Sequence, residues 1–431
     1  MTDAHRADPR HPDAVSARRA VEAVWRIESS HIVATLTRYT GDFSLAEDLA
    51  QEALAEALGQ WPVQGTPRNA AAWLTAVAKR RAIDHWRRSE RFSDRIATLA
   101  RDVEREHEQR IQGDTAPWDP DEIRDDTLRL VFTACHPVLS PTSRVALTLR
   151  VVAGLSTDEI ARAFLVPVSA VQQRIVRAKR ALADAGVPFE TPPPADRPER
   201  LGAVLGTIYG LFTEGHAATA GDDWMRPDLA SEAVRLARVL ARLQPGEPEV
   251  HGLLALLELT AARFPARTDA AGVPVLLGDQ DRRRWDRGAI SRGRAALRRA
   301  EGAGRGLGPY GLQAAIAECH AVAPSVDDTD WSRIVRLYDG LVRVAPTPVV
   351  ALNRAVAVSM ADGPDAALAI VDGLASERAF AMSHLLPSVR GELLARLGRD
   401  DEARDAFARA AELSRNARER AVLLAKAAAR T

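Results

Sequence analysis

Two helix-start signatures, thirteen residues apart, constrain this chain more than any other feature: Ser156-Thr-Asp-Glu159 and Ser169-Ala-Val-Gln172. In each, a Ser hydroxyl and a Glu or Gln three residues later can satisfy each other's backbone amides, which is how many helices begin. The pair predicts two helices, about 157 to 163 and 170 to 184, separated by a short turn at Pro167. This is a helix-turn-helix pattern. In the second helix Val171, Ile175, Ala178 and Leu182 recur at helical spacing and form a buried stripe. Gln173, Arg177 and Arg180 then share the opposite face. Just upstream, Ser140-Pro141 predicts another helix start and Gly154 its stop, because Ser caps well and Pro lacks an amide needing a partner there.

At 431 residues the chain exceeds one compact core, and roughly 150 residues per domain suggests about three. Aromatic residues at 5% and abundant Ala, Leu and Arg favour helix over sheet. Basic and acidic residues balance at 58 each, so any polyanion-binding surface must come from local segregation. That segregation is present. Residues 79 to 95 carry seven bases against three acids, 174 to 180 carry four bases and no acid, and 102 to 126 carry ten acids against three bases. Two distant cysteines, Cys135 and Cys319, cannot build a disulfide framework. No signal-type segment and no run of about twenty apolar residues stands out, which predicts a cytoplasmic chain without membrane contact.

The expected fold is all-α. A first helical domain spans 14–96, an acidic linker 97–121, the helix-turn-helix domain 122–186 and a proline-rich spacer 187–198. A large helical C-terminal domain spans 199–431. From about 334 it reads as tetratricopeptide-like hairpins, with Gly391, Leu394, Gly398, Ala403, Phe407 and Ala410 at the alternating small and large positions of paired helices. A weaker copy, LNRAVAVSMADGPDAALAIVDGL, precedes it.

Three motifs in order carry a resemblance. Ala46-Glu47-Asp48-Leu49-Ala50-Gln51-Glu52-Ala53-Leu54 resembles the polymerase-binding helix of extracytoplasmic-function sigma factors. Ala72-Trp73-Leu74, Val77-Ala78, Ala82-Ile83-Asp84 and Arg87-Arg88 resemble their minus-10-reading segment. Leu139 to Leu182, with Glu159-Ile160-Ala161 and Arg174-Ile175-Val176-Arg177-Ala178-Lys179, resembles their minus-35-reading domain. The tail is similar to a subgroup with a tetratricopeptide-containing extension, through LLGDQDRRRWD (276–286), GPYGLQAAIAECHA (308–321), TDW (329–331) and PVVALNRAVAV (348–358). None of those four stretches has a chemical reading of its own.

The resemblance implies core RNA polymerase and promoter DNA as partners, promoter-directed transcription initiation as the function, and no catalysis or cofactor. It assigns polymerase contact to Asp48, Gln51 and Glu52, which share a narrow polar strip opposite Leu49, Ala53, Leu54, Ala57, Leu58 and Trp61. Minus-10 contact falls to His85, Trp86 and Arg88, with Arg80, Arg81, Arg87 and Arg91 on phosphates. Such relatives capture an unstacked base at this segment, and many carry Asn where Arg80 stands. Minus-35 contact falls to Gln172, Gln173, Arg174, Arg177, Lys179 and Arg180. Gln can pair with adenine and Arg with guanine, whereas Lys179 and Arg180, farther along the helix, suit phosphate.

Competing readings remain for each. A polar helix face or a basic cluster is often only solvated, Ser169 reads as a cap, and Trp61 and Trp73 read as core. The adjacent Cys135-His136 and Cys319-His320 pairs lack the spacing of structural zinc ligands, so no metal is expected. An alternative class is a helix-turn-helix regulator whose helical tail senses a ligand or partner. Under either class the tail is expected to regulate, through a protein partner or an intramolecular contact.

Overall fold

The computed structural model describes residues 12–88, 120–164, 166–216, 226–269, 275, 277–414 and 417–429, and is helical with no β-strand among them. The chain divides into two units, 1–207 and 208–431. None of the described helices is long and apolar enough to cross a membrane.

The first unit begins with α1 (Pro12–Thr40), α2 (Phe43–Gln64) and α3 (Ala70–Arg88). The α1–α2 corner is a tight turn. Gly41 adopts φ 67°, and Asp42 Oδ1 accepts from the amides of Ser44 and Leu45 at 2.8 and 3.1 Å, starting α2. Ile32, Val33 and Leu36 of α1 are buried, as are Leu49, Ala53, Ala57 and Trp61 of α2 and Leu74 and Val77 of α3. Trp61 and Trp73 meet edge to face at 5.5 Å; Trp61 is buried, as expected of a core residue, while Trp73 is half-buried beside it. Leu58 departs from expectation: at the margin of the apolar arc it is exposed.

Next come α4 (Pro120–Ala134), α5 (Pro141–Val151), α6 (Thr157–Phe164) and α7 (Val168–Asp184). Ser140 Oγ accepts from the Ser143 amide, so α5 starts where Ser-Pro placed it. The first capping box forms in both directions. Glu159 Oε2 accepts from the Ser156 amide at 2.8 Å, and Ser156 Oγ accepts from the Glu159 amide at 3.1 Å. The second does not form. Helix α7 starts two residues earlier than expected, with Pro167 as the residue before its first turn and no side-chain cap. The Pro167 carbonyl, held at φ −59° and ψ 144°, already accepts from the amides of Ala170 and Val171, which leaves Ser169 inside the helix. Residues 187–196 have no regular helix, and α8 (Arg197–His216) follows. Its first half belongs to the first unit, where Arg200 donates to the Phe132 carbonyl at 3.0 Å.

In the second unit α9 (Pro227–Leu243) and α10 (Pro248–Ala261) precede three short 3-10 turns. Then come α11 (Arg287–Gly302), α12 (Pro309–Val322), α13 (Trp331–Val344), α14 (Pro348–Ala361), α15 (Pro364–Gly373), α16 (Leu385–Arg396), α17 (Asp400–Leu413) and α18 (Ala417–Ala428). The expected hairpin residues do what small and large positions require. Leu394, Ala403, Phe407 and Ala410 are buried in one cluster with Leu352, Ala355, Ala367 and Val371 of the preceding copy. A Cβ at Gly391 would lie 2.9 Å from the Phe407 ring, and Gly398 turns the chain at φ 71°.

Candidate nucleic-acid interface

Helix α7 is amphipathic in the way the sequence dictates. Val171, Ile175, Ala178 and Leu182 are buried against the unit, while Gln172, Gln173, Arg177 and Arg180 are exposed and Arg174 is half-buried. Arg177 is steadied by donating to the Gln173 carbonyl at 3.3 Å, and Arg180 lies 3.6 Å from Asp184 one turn on. Val176, next to Arg177, is 63% exposed, an apolar side chain on the polar face that the stripe-based reading passed over. Its signal in the sequence is its place off the 171, 175, 178, 182 series.

Lys179 behaves differently from its neighbours. Its Nζ turns inward to Glu47 Oε2 at 2.5 Å and approaches Asp48 Oδ1 at 3.5 Å. Glu47 is 5% exposed, and its other oxygen accepts from Arg150 Nε at 2.9 Å. One carboxylate on α2 thus ties α5 and α7 to the first helices. A second tie lies at Asp126, buried on α4, which pairs with Arg38 of α1 at 3.0 Å and with Arg129 at 2.7 Å. A third joins Arg26 and Glu159. Burial works against the Glu159 carboxylate, but bonds from Ser156 and Arg26 hold it below its ordinary range. Sequence reasoning missed Glu47, although a glutamate one turn from both Phe43 and Ala50 is a sign that the apolar seam holds a paired acid.

Asp48 and Glu52 are exposed on α2, with Gln51 half-buried beside them. On α3 the basic cluster splits. Lys79 is 1% exposed with Nζ 5.9 Å from the Tyr39 ring, while Arg80 faces solvent. Arg81 pairs with Glu56 at 2.7 Å, an interaction that raises its pKa. His85 is exposed at the far end of the helix. The side chains of Trp86, Arg87 and Arg88, residue Arg91 and the acidic stretch 97–119 lie outside the described residues. The structure therefore brings one residue of the exposed α2 polar strip, Asp48, beside one helix-turn-helix residue, Lys179, and holds Gln172, Gln173, Arg177 and Arg180 on an open face.

Cys135 is buried and its thiol meets Thr148 Oγ1 at 3.3 Å; burial pushes its pKa up. Cys319 is likewise a buried thiol in the second unit. Both sit as core residues.

The chain matches the family models Sigma-70 region 2 over residues 26–92, Sigma-70 region 4 over 129–182 and a family of unknown function (DUF6596) over 200–301. It is 47% identical over 392 residues, 90% of each chain, to the uncharacterized protein R00370 of Rhizobium meliloti. It is 34% identical over 174 residues, 39% of this chain and 92% of the relative, to the ECF RNA polymerase sigma factor SigL of Mycobacterium tuberculosis. Among solved structures a tetratricopeptide repeat protein from Parabacteroides merdae aligns with 76% of this chain and 98% of its own, at 13% identity and TM-score 0.34.

Proposed function

The chain belongs to the extracytoplasmic-function RNA polymerase sigma factors, and from that premise we propose how its residues divide the work. Residues 14–96 bind core RNA polymerase and the minus-10 element. Residues 122–186 read the minus-35 element, joined to the first domain by the acidic linker 97–121. The proline-rich 187–198 leads to a regulatory extension, tetratricopeptide-like from about 334.

Asp48, Gln51 and Glu52 form the polymerase contact, since Asp48 and Glu52 project from α2 while its opposite face is spent on the core. Arg80 and His85 contact the minus-10 region from α3, and the resemblance assigns Trp86, Arg87, Arg88 and Arg91 to the same element. Arg81 contributes after exchanging Glu56 for phosphate. Gln172, Gln173, Arg174 and Arg177 enter the major groove, where Gln pairs with adenine and Arg with guanine, and the exposed Val176 meets a thymine methyl. Arg180 rests on phosphate. Lys179 joins it only when the Glu47 pairing is released, so minus-35 binding and the packing of α7 on α2 compete for one side chain.

The observation that carries this reading is the coexistence in one chain, in order, of a region 2 match bearing the exposed acidic strip and a region 4 match bearing an exposed Gln-Arg face. A helix-turn-helix regulator with a sensing tail has no use for the first of these. The protein acts in the cytoplasm, where its polymerase partner works, and needs no catalytic residue or cofactor of its own.

Run-off transcription with sigma-free core polymerase on promoters upstream of this gene and its neighbours tests the proposal. Initiation should depend on the protein and be lost with Asp48→Ala/Glu52→Ala. Output no higher than core alone, with folded protein, would dispose of it. A chain ended after His216, which keeps α8 whole, should change that output if the extension regulates; unchanged output would rule regulation out.

A further inference from the structure

The four tail stretches that had no chemical reading converge on one cavity of the second unit. Leu277 lines it from the first stretch, Gln313 and His320 from the second and Asn353 from the fourth, while Trp331 of the third packs against His320 at 5.2 Å. The cavity is about 450 Å³, within the usual span for a small-molecule site. Tyr209, Phe212 and Tyr338 supply aromatic walls, and Arg263 is the cation among them.

Arg263 is the anomaly. Its Nε is shielded from solvent and has no hydrogen-bond partner, and among the described residues no carboxylate pairs with its guanidinium. Among the described residues its guanidinium faces the Trp285 ring, 5.9 Å away, and Arg282 lies 4.8 Å from the same ring. His320 Nδ1 is also shielded without a partner. Arg282, which has Asp328 as an acidic neighbour, spends one nitrogen on the carbonyls of His320 and Ala323, both at 2.6 Å, and leaves another unbonded. A shielded charge is costly unless it is paired and hydrogen-bonded. Burial pushes Arg263 down to about 10 and, with Arg263 and Arg282 beside it, His320 down to about 4, so the imidazole is neutral and free to donate or accept.

We propose that this cavity binds a small organic anion, a carboxylate or phosphate carried on a flat ring, with Arg263 receiving the anionic group. The guanidinium fork matches two oxygens of either group, and bidentate pairing fixes orientation as well as charge. The aromatic walls take the ring, and the lining also holds two neutral amides, Asn353 and Gln313, whose Nε2 already donates one hydrogen bond to the Pro309 carbonyl at 3.0 Å. The site is independent of the transcription reading, since every residue in it lies in the second unit.

Calorimetric titration of the full chain with benzoate, phenyl phosphate, inorganic phosphate and benzamide tests it. Saturable binding of benzoate or phenyl phosphate is expected, about 10-fold or more tighter than neutral benzamide, from the strength of charge-assisted bonds. Benzoate and phenyl phosphate separate a carboxylate from a phosphate preference, and inorganic phosphate shows what the ring contributes. Arg263→Met should remove the anion preference and Arg263→Lys should restore part of it. Binding that ignores charge, or no saturable binding by either aromatic anion, overturns the proposal on the unaltered protein, whether or not the variants fold.

Discussion

Lys179 Nζ on the second helix of the helix-turn-helix lies 2.5 Å from Glu47 Oε2 on α2, and Glu47 is almost fully buried. The same carboxylate holds Arg150 at 2.9 Å. Removing the shared carboxylate leaves Arg150 without its acid and Lys179 with only the exposed Asp48 at 3.5 Å, and breaking a buried ion pair costs about 3–5 kcal/mol. Glu47→Ala should therefore lower the stability of the first unit by about 3 kcal/mol in urea unfolding. Lys179→Met added to it should recover part of the loss, because the stranded ammonium goes with it. Additive losses in that double-mutant cycle would show that the two residues do not act as a pair.

The exposed face of α7 makes a separate prediction. A phosphate contact lacks sequence information, so Arg180→Ala should weaken binding to all promoter duplexes alike and reduce the salt slope by about 1. Gln173→Ala should instead relax preference at one base pair, by about 1–3 kcal/mol. Fluorescence anisotropy against a panel of minus-35 variants, at several salt concentrations, separates the two. Equal losses on every duplex for Gln173→Ala would remove it from base reading.

The α16–α17 hairpin contains one close approach, with Gly391 so near the Phe407 ring that a methyl group would stand 2.9 Å from it. Ring and helix must shift to admit a Cβ, and overpacking of this kind costs about 1–3 kcal/mol. Gly391→Ala should destabilise the second unit by that amount in thermal unfolding. Gly391→Ala with Phe407→Leu should lose less than the two single changes added together.

Periodicity and local chemistry made the helices, the α5 and α6 starts and the stripe of α7 legible in the sequence, because each depends on residues a few positions apart; the Gly391–Phe407 pairing was legible through the small and large positions of a repeat. The second capping box misled for a local reason too: Pro167 had already fixed the chain's entry to α7. What the sequence could not show is long-range. Glu47 with Arg150 and Lys179 spans more than a hundred positions, so no spacing rule marks it. Likewise Lys79 reads as one more base in a cluster until α1 places Tyr39 over it. The Arg263 cavity is assembled from five helices and the turns that carry Arg263 and Leu277, and only folding brings its members together.

The histidines of the second unit predict how stability depends on pH. Burial, with Arg267 and Arg263 nearby, pushes His216 down to about 3, and burial with Arg263 and Arg282 pushes His320 to about 4, against an ordinary 6.5. Both are neutral in the folded chain, so above pH 6.5 folded and unfolded forms bind the same number of protons there and stability is fully present. As pH falls below 6.5 the unfolded chain takes up protons that the folded chain refuses, and stability drops until the folded values are reached. By pH 5 the loss is about 2 kcal/mol for each histidine. His136, lowered by burial beside Arg200 and Arg144, adds a loss of the same sign in the first unit. Glu159 and Glu419, whose values are depressed, lose their contributions only below 4.5, so the histidine window stands apart. Urea unfolding of the full chain between pH 7.5 and 5 should show the fall, and His320→Gln should flatten it. A stability that stays level across that range would mean that His216 and His320 protonate in the folded protein as readily as in the unfolded chain.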